Sequence, residues 1–273
     1  FSARDFRLNT ANASFLRANG GDGSEGNAYQ IFDLYGLQGI ASRSLLSSHF
    51  ALSNDIDASG TANWNGGAGF VPIGDWSNRY TGSFDGQGHI INGLTINRPN
   101  TDHVGLFGVI SASQISNIGL TNATITGRAS VGGLVGNGRT INNRISHSSV
   151  QGDIVATSGI SGGLAGAFRG TIEHSLSSGT LDSINQTGGL VGVMSGQITD
   201  SYSTATVTGQ TDNIGGLVGV MNGSIDRSYA TGNVTGAYSY IGGLVGDLNG
   251  SVTDSYASGN VQGYQYVGGL VGY

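Results

Sequence analysis

Seven leucines set in glycine-rich blocks recur along the last two-thirds of the chain. They fall at 106, 134, 164, 190, 217, 244 and 270, with spacings of 28, 30, 26, 27, 27 and 26 residues. The blocks begin with Gly105-Leu106-Phe107-Gly108. They continue through Gly132-Gly133-Leu134-Val135-Gly136 and Gly162 to Gly166, then Gly188 to Gly192, Gly215 to Gly219, Gly242 to Gly246 and Gly268 to Gly272. A unit of that size cannot enclose an apolar core alone, so the fold must gain its stability by stacking one unit on the next.

Within a unit the apolar positions are also phased. Leu164, Leu190, Leu217 and Leu244 are followed eight residues later by Ile172, Ile198, Ile225 and Val252, and nine residues further on by Leu181, Val207, Val234 and Val261. The unit before them keeps the step from Ile145 to Ile154, but Leu134 to Ile145 is three residues longer. Each unit therefore has three short segments, each with an apolar anchor. Such segments are too short, and too rich in glycine, for stable helices. They alternate instead. Ser201, Ser203, Ala205 and Val207 share one face, and Tyr202, Thr204 and Thr206 share the other; the stretches Ser228–Val234 and Ser255–Val261 repeat the pattern. That is the signature of half-buried strands. Three strands in a near-constant period predict an all-β parallel β-helix (β-solenoid) of about 27 residues per turn. Equivalent residues should stack at ~4.8 Å, with Leu, Ile and Val as interior ladders and glycines at the corners. A β-propeller fits less well, since its blades take roughly 40 residues and four strands.

Composition narrows the function classes. Fifty of 273 residues are glycine and two are proline. Glycine has no period of three, which excludes collagen, and the β-branched content argues against disorder. Net charge is −6; all eleven basic residues are arginines, and they are scattered in sequence. Nucleic acid and anionic membrane are therefore poor partners. No apolar run approaches the ~20 residues of a membrane span. The absence of cysteine excludes thiol catalysis and cysteine metal sites.

Residues 1–75 lack the leucine blocks and read as an N-terminal cap or lead-in merging into a solenoid over 76–273. Leu37 to Leu46 suggests a helix. Phe32, Tyr35, Phe50, Trp64, Phe70 and Trp76 are bulky enough to cover the open end of a core. The chain shows no secretory leader and stops at Tyr273, just after a leucine block, which predicts a processed or excised stretch that continues onward.

The Gly-Gly-Leu-Val-Gly blocks resemble the GLUG motif of bacterial surface proteins. Tyr29 to Leu34, Asp55-Ile56-Asp57, Phe70 to Gly74 and Phe84-Asp85-Gly86-Gln87-Gly88-His89 are similar to the segment that precedes GLUG arrays in filamentous-haemagglutinin-type adhesins. The resemblance spans nearly the whole chain. It implies a right-handed parallel β-helix, secreted and attached to the surface of a Gram-negative bacterium, often by two-partner secretion. The Asn-Pro motifs of the secretion domain are missing, the only prolines being Pro72 and Pro99. GLUG arrays also stand beside catalytic domains, as in some immunoglobulin A proteases, but the sequence has no His-Glu-x-x-His.

The leading functional reading is a structural or adhesive module without catalytic activity. Its partners would be a host or bacterial surface glycan or protein, or a second copy of the chain. Tyr202, Tyr229 and Tyr256 should form an outward column, a glycan or receptor contact or else a sheet-stabilising stack. Tyr238, Tyr240, Tyr264 and Tyr266 add aromatic surface near a corner. A polysaccharide-active enzyme is the first alternative, since Asp200, Asp226 and Asp254 recur and paired carboxylates can act as acid and base, although these sit near corners, where Asp commonly satisfies turn backbone. An ice-binding solenoid is the second, but Thr204/Thr206, Thr231/Asn233 and Ser258/Asn260 do not keep a Thr-x-Thr array. His147 and His174 occupy matching positions and read as structural neighbours. No cofactor is implied; Asp22, Asp55 and Asp57 are weak candidates for calcium. Sequons stand at Asn12, Asn122, Asn185, Asn222, Asn233 and Asn249.

Overall fold

A computed structural model describes residues 3–8 and 13–273; the sequon at Asn12 lies outside them. Three parallel sheets of ten, twelve and six strands run along the chain as the walls of a β-solenoid. In the ten-stranded sheet Ile145 pairs with Ile172, Ile172 with Ile198, Ile198 with Ile225 and Ile225 with Val252. In the twelve-stranded sheet Ile154, Leu181, Val207, Val234 and Val261 stack in the same way. The six-stranded sheet is built from the start of each leucine block, for example Ile214–Gly215 on Ile241–Gly242. The block leucines from Leu106 to Leu244 have no exposed surface, whereas Leu270, in the last turn, is 38 % exposed.

The corners differ from the expectation of glycine. The turn into the twelve-stranded sheet is made by Asn117, His147, His174, Asp200, Arg227 and Asp254, all left-handed, with φ of 44–54°. What holds them there is a buried serine ladder directly downstream. The Ser148 amide donates to the Ser175 hydroxyl (3.2 Å), Ser175 to Ser201 (3.1 Å), Ser201 to Ser228 (3.1 Å) and Ser228 to Ser255 (3.0 Å). Each serine hydroxyl in turn donates to the carbonyl two residues before it, as Ser201 does to Thr199 at 2.8 Å. Every amide freed by the corner is thus satisfied without water. Glycine is needed where backbones touch. At Gly196 (φ 139°) a Cβ would stand 2.0 Å from the Gly170 carbonyl oxygen, and Gly223 and Gly250 continue that column.

The segment read as one strand, Ser201–Val207, is two: Tyr202–Ser203 and Thr206–Gly209. The in–out alternation survives, but the ladder opens at Ala205, whose carbonyl would lie 1.8 Å from a Cβ on Gly232. The extra residues between Leu134 and Ile145 form a bulge in strand Val135–Ser146, where the register slips between Gly138 and Asn143.

The first strands of the ten-stranded sheet come from the lead-in. Tyr29–Ile31 pairs with Phe50–Leu52, which pairs with Ser83–Asp85. The helical reading of Leu37 to Leu46 resolves into a short α-helix, Leu34–Gly39, N-capped by Asp33, and a 3-10 turn, Arg43–Leu45. Phe50, Trp64 and Phe70 are buried; Phe6 and Tyr35 pack on Trp64, and Phe15 packs on Phe6. Trp76 departs from that role and is half exposed. Among the described residues no helix is long and apolar enough to cross a membrane.

Candidate functional site

The tyrosine column forms as the register requires. Tyr202 pairs with Tyr229 and Tyr229 with Tyr256. Their rings are 4.6 and 5.0 Å apart and within 6° of parallel. Tyr202 and Tyr229 are partly covered and Tyr256 is 53 % exposed. Burial in the stack, then the flanking phenols, push the Tyr229 hydroxyl above its ordinary pKa. A second group forms at the third corner, where Tyr240 stacks on Tyr266 at 5.2 Å and both meet Tyr273. Tyr238 and Tyr264 stay exposed beside it.

The recurring acids do not face one another across a cleft. Arg227 sits between Asp200 and Asp226, pairing with Asp200 at 2.8 Å through two nitrogens and with Asp226 through a third. Its guanidinium holds the Asp200 carboxyl below the usual range. His147 and His174 stack at 4.8 Å on the rungs before. On the outward face Thr206 stands beside Asn233, and the Asn260 amide donates to the Asn233 side chain at 3.1 Å. This column mixes threonine and asparagine and is no regular threonine array.

The calcium candidates are used locally. Asp22 accepts from the Ser24 amide, Asp57 from the Ser59 amide, and Asp55 from the Ile90 amide and His89 Nδ1. Hydrogen bonding from the Ser24 side chain and amide to Asp22, from the Ser59 side chain and amide to Asp57, and from the Ile90 amide and His89 to Asp55 lowers the pKa of all three carboxylates. Among the described residues no three His, Asp or Glu side chains are grouped as metal ligands.

A large concavity lies elsewhere, where the lead-in meets the regular turns. A groove of about 680 Å³ is lined by Arg43, Val71, Pro72, Trp76, Arg98 and His103, among others. A second, of about 260 Å³, is lined by Trp76, Arg139 and Arg169 with Asn137 and Ser195. Trp76 is common to both. Its loop is built by Asp75, whose carboxylate accepts the Ser77 and Asn78 amides at 2.8 and 2.7 Å. His103 stacks on the indole at 5.0 Å, and the Arg139 guanidinium stands 3.7 Å over it. Arg139 reaches that point because of the three-residue bulge. Buried Asn143 pins the bulge through the Thr140 and Arg169 carbonyls (2.7 and 3.2 Å), and the Thr140 hydroxyl accepts the Ala112 amide. The arginines scattered in sequence are here gathered by the fold. The only sign of it in the sequence is the long step from Leu134 to Ile145.

The model of the GLUG motif matches residues 211–235 and 237–262, two successive turns. Those two turns carry the GLUG motif. The chain is 38 % identical over 153 residues, 54 % of its length, to halomucin of Haloquadratum walsbyi. It is also 38 % identical over 122 residues, 43 % of its length, to a protein assigned by name as a Gly-rich membrane protein in Evansella cellulosilytica. It spans 2 % and 14 % of those relatives. A crystal structure of a Bacteroides ovatus protein, assigned by name as an immunoglobulin A1 protease, superposes with a TM-score of 0.71 over 93 % of this chain and 87 % of that one. At 21 % identity that likeness establishes the fold, a parallel β-solenoid, and nothing of the activity.

Proposed function

We propose that the GLUG solenoid is a rigid, non-catalytic module of a longer surface protein, serving as a stalk and offering its outer faces for attachment. The observation that carries this reading is the unbroken register. The apolar ladders continue rung upon rung from Ile145 to Val252 and from Ile154 to Val261. A rod of stacked turns resists bending and displays side chains at a fixed interval along a face. Two further points favour it. One relative is a membrane protein by name, and two of the three recurrent acids, Asp200 and Asp226, are tied up with Arg227 instead of converging as an acid and base. A Gram-negative setting and two-partner secretion rest on the resemblance to haemagglutinins alone.

Attachment through the tyrosine column is the specific form of the proposal. Flat, half-exposed phenols in register offer stacking faces to successive sugar rings. The test is a glycan array probed with the wild-type chain and with Tyr202, Tyr229 and Tyr256 all changed to Ala. Retention by the wild type and loss in the variant, with unchanged circular dichroism, is the expected result. No retention by folded wild type leaves a stalk without this contact.

A further inference from the structure

We propose that the paired grooves around Trp76 bind an acidic oligosaccharide, one that carries carboxylate or sulfate groups on successive sugar rings. This site is independent of the tyrosine column and does not depend on the attachment reading.

Charge is the first observation. The chain as a whole is at −6, yet Arg43, Arg98, Arg139 and Arg169 all line these two concavities. None of the four takes part in an ion pair among the described residues. Of the two acids in the larger groove, Asp102 is paired with Arg128 and Asp75 is spent on its own turn. With Arg128, five arginines stand against the carboxylates of Asp75 and Asp102, so the surroundings are net positive inside an acidic molecule. Planar guanidinium groups suit carboxylate or sulfate oxygens in two-point contacts.

The second observation is a polar atom that lacks a partner. Nδ1 of His103 is buried and makes no hydrogen bond among the described residues, although its ring stacks on Trp76 at the rim. Burying a polar group unpaired is costly, and a hydroxyl-bearing ligand could satisfy it.

The third is shape. The larger groove sets apolar Val71, Pro72 and Leu46 against arginine, the mixture that sugar rings with charged substituents require. Gly138 pairs with Phe168; Arg169 follows Phe168 in its strand, and Arg139 leaves the next strand at the start of the bulge, so the two enter the second groove from neighbouring turns. The floor here is the interior of the ten-stranded sheet, where Ala165–Glu173 is paired on both sides. No open strand edge is offered, so an extended peptide would lack main-chain partners.

The experiment is calorimetric titration of the full chain with four probes: a polygalacturonate oligomer, its fully methyl-esterified form, a heparin-type sulfated oligomer, and polyglutamate of similar length. Binding of the polygalacturonate or the sulfated oligomer is expected, at least tenfold tighter than the methyl ester and than polyglutamate. The double variant Arg139→Gln/Arg169→Gln should lose about tenfold in affinity, while Tyr256→Ala should not change it. Circular dichroism of each variant separates misfolding from lost contact, and Trp76→Phe, which spares the arginines, gives a second reading by a smaller loss. Equal binding of the methyl ester, tighter binding of polyglutamate, or no binding of either acidic sugar by folded wild type would overturn the proposal. Loss of binding in Tyr256→Ala would relocate it to the tyrosine column.

Discussion

At the residue scale the solenoid depends on small polar side chains used as internal fasteners. Ser201 is almost wholly buried, accepts the Ser175 amide at 3.1 Å and donates to the Thr199 carbonyl at 2.8 Å. Ser201→Ala leaves the buried Ser175 amide unpaired and takes one of two donors from the Thr199 carbonyl, which keeps the His174 amide, and should cost about 1–3 kcal/mol; urea unfolding measures it. Ser228→Ala, in the same geometry one turn on, should cost about as much. His103 gives a pH signature. Burial depresses its pKa below the ordinary 6.5, so the unfolded chain takes up this proton first as pH falls. Stability from this group is full above about pH 6.5 and is lost as pH drops toward the folded value. The thermal midpoint should therefore fall between pH 7 and 5 by more in the wild type than in His103→Gln. Asp102 acts lower. Its carboxyl, hydrogen-bonded to Arg128, titrates below its ordinary 3.8, so its contribution is kept above that value and lost only as pH falls through the folded one. The inward placement of Ser201 and its neighbours was legible from alternation. Their hydrogen bonds were not, because a serine on an inner face reads simply as small.

At the scale of the element, the three-strand turn was readable because each anchor keeps its offset from the last. The interruption at Ala205 was not, since it arises from close contact between turns and leaves the alternation intact. The bulge at 139–142 is the informative exception. Its three extra residues were visible as a long step, but their use was not, because Trp76 and Arg139 are 63 residues apart in the sequence and meet only across the fold. Deleting Arg139, Thr140 and Ile141 restores the eight-residue step from Leu134. Ile141 is 77 % exposed, so stability should change by no more than about 1 kcal/mol, in keeping with the small entropy of short loops. The Trp76 ring loses the guanidinium over it, and its fluorescence emission should shift measurably with the far-ultraviolet dichroism unchanged.

At the scale of the whole molecule, the period of the leucine blocks carried most of the architecture. A repeat that cannot fold alone has few ways to stack, and the offsets selected a coil over a propeller. The lead-in was harder to place. Its strands join the ten-stranded sheet without a leucine block to announce them, as Tyr29–Ile31 does on Phe50–Leu52. The groove was the least legible feature, because arginines scattered at 43, 98, 139 and 169 become neighbours only once the chain is wound. The coil also explains how one chain can carry separate contact faces: the tyrosines project from the twelve-stranded sheet, while the second groove overlies the ten-stranded one.

The central claim, that this solenoid attaches through its outer surface, is tested most directly by coupling the purified chain to beads and counting those retained under flow on a polysaccharide-coated surface. The account predicts retention well above beads bearing an unrelated protein of equal charge, reduced when the outward tyrosines are changed to Ala. Retention no greater than the control, with the chain on the beads shown to be folded, would contradict it.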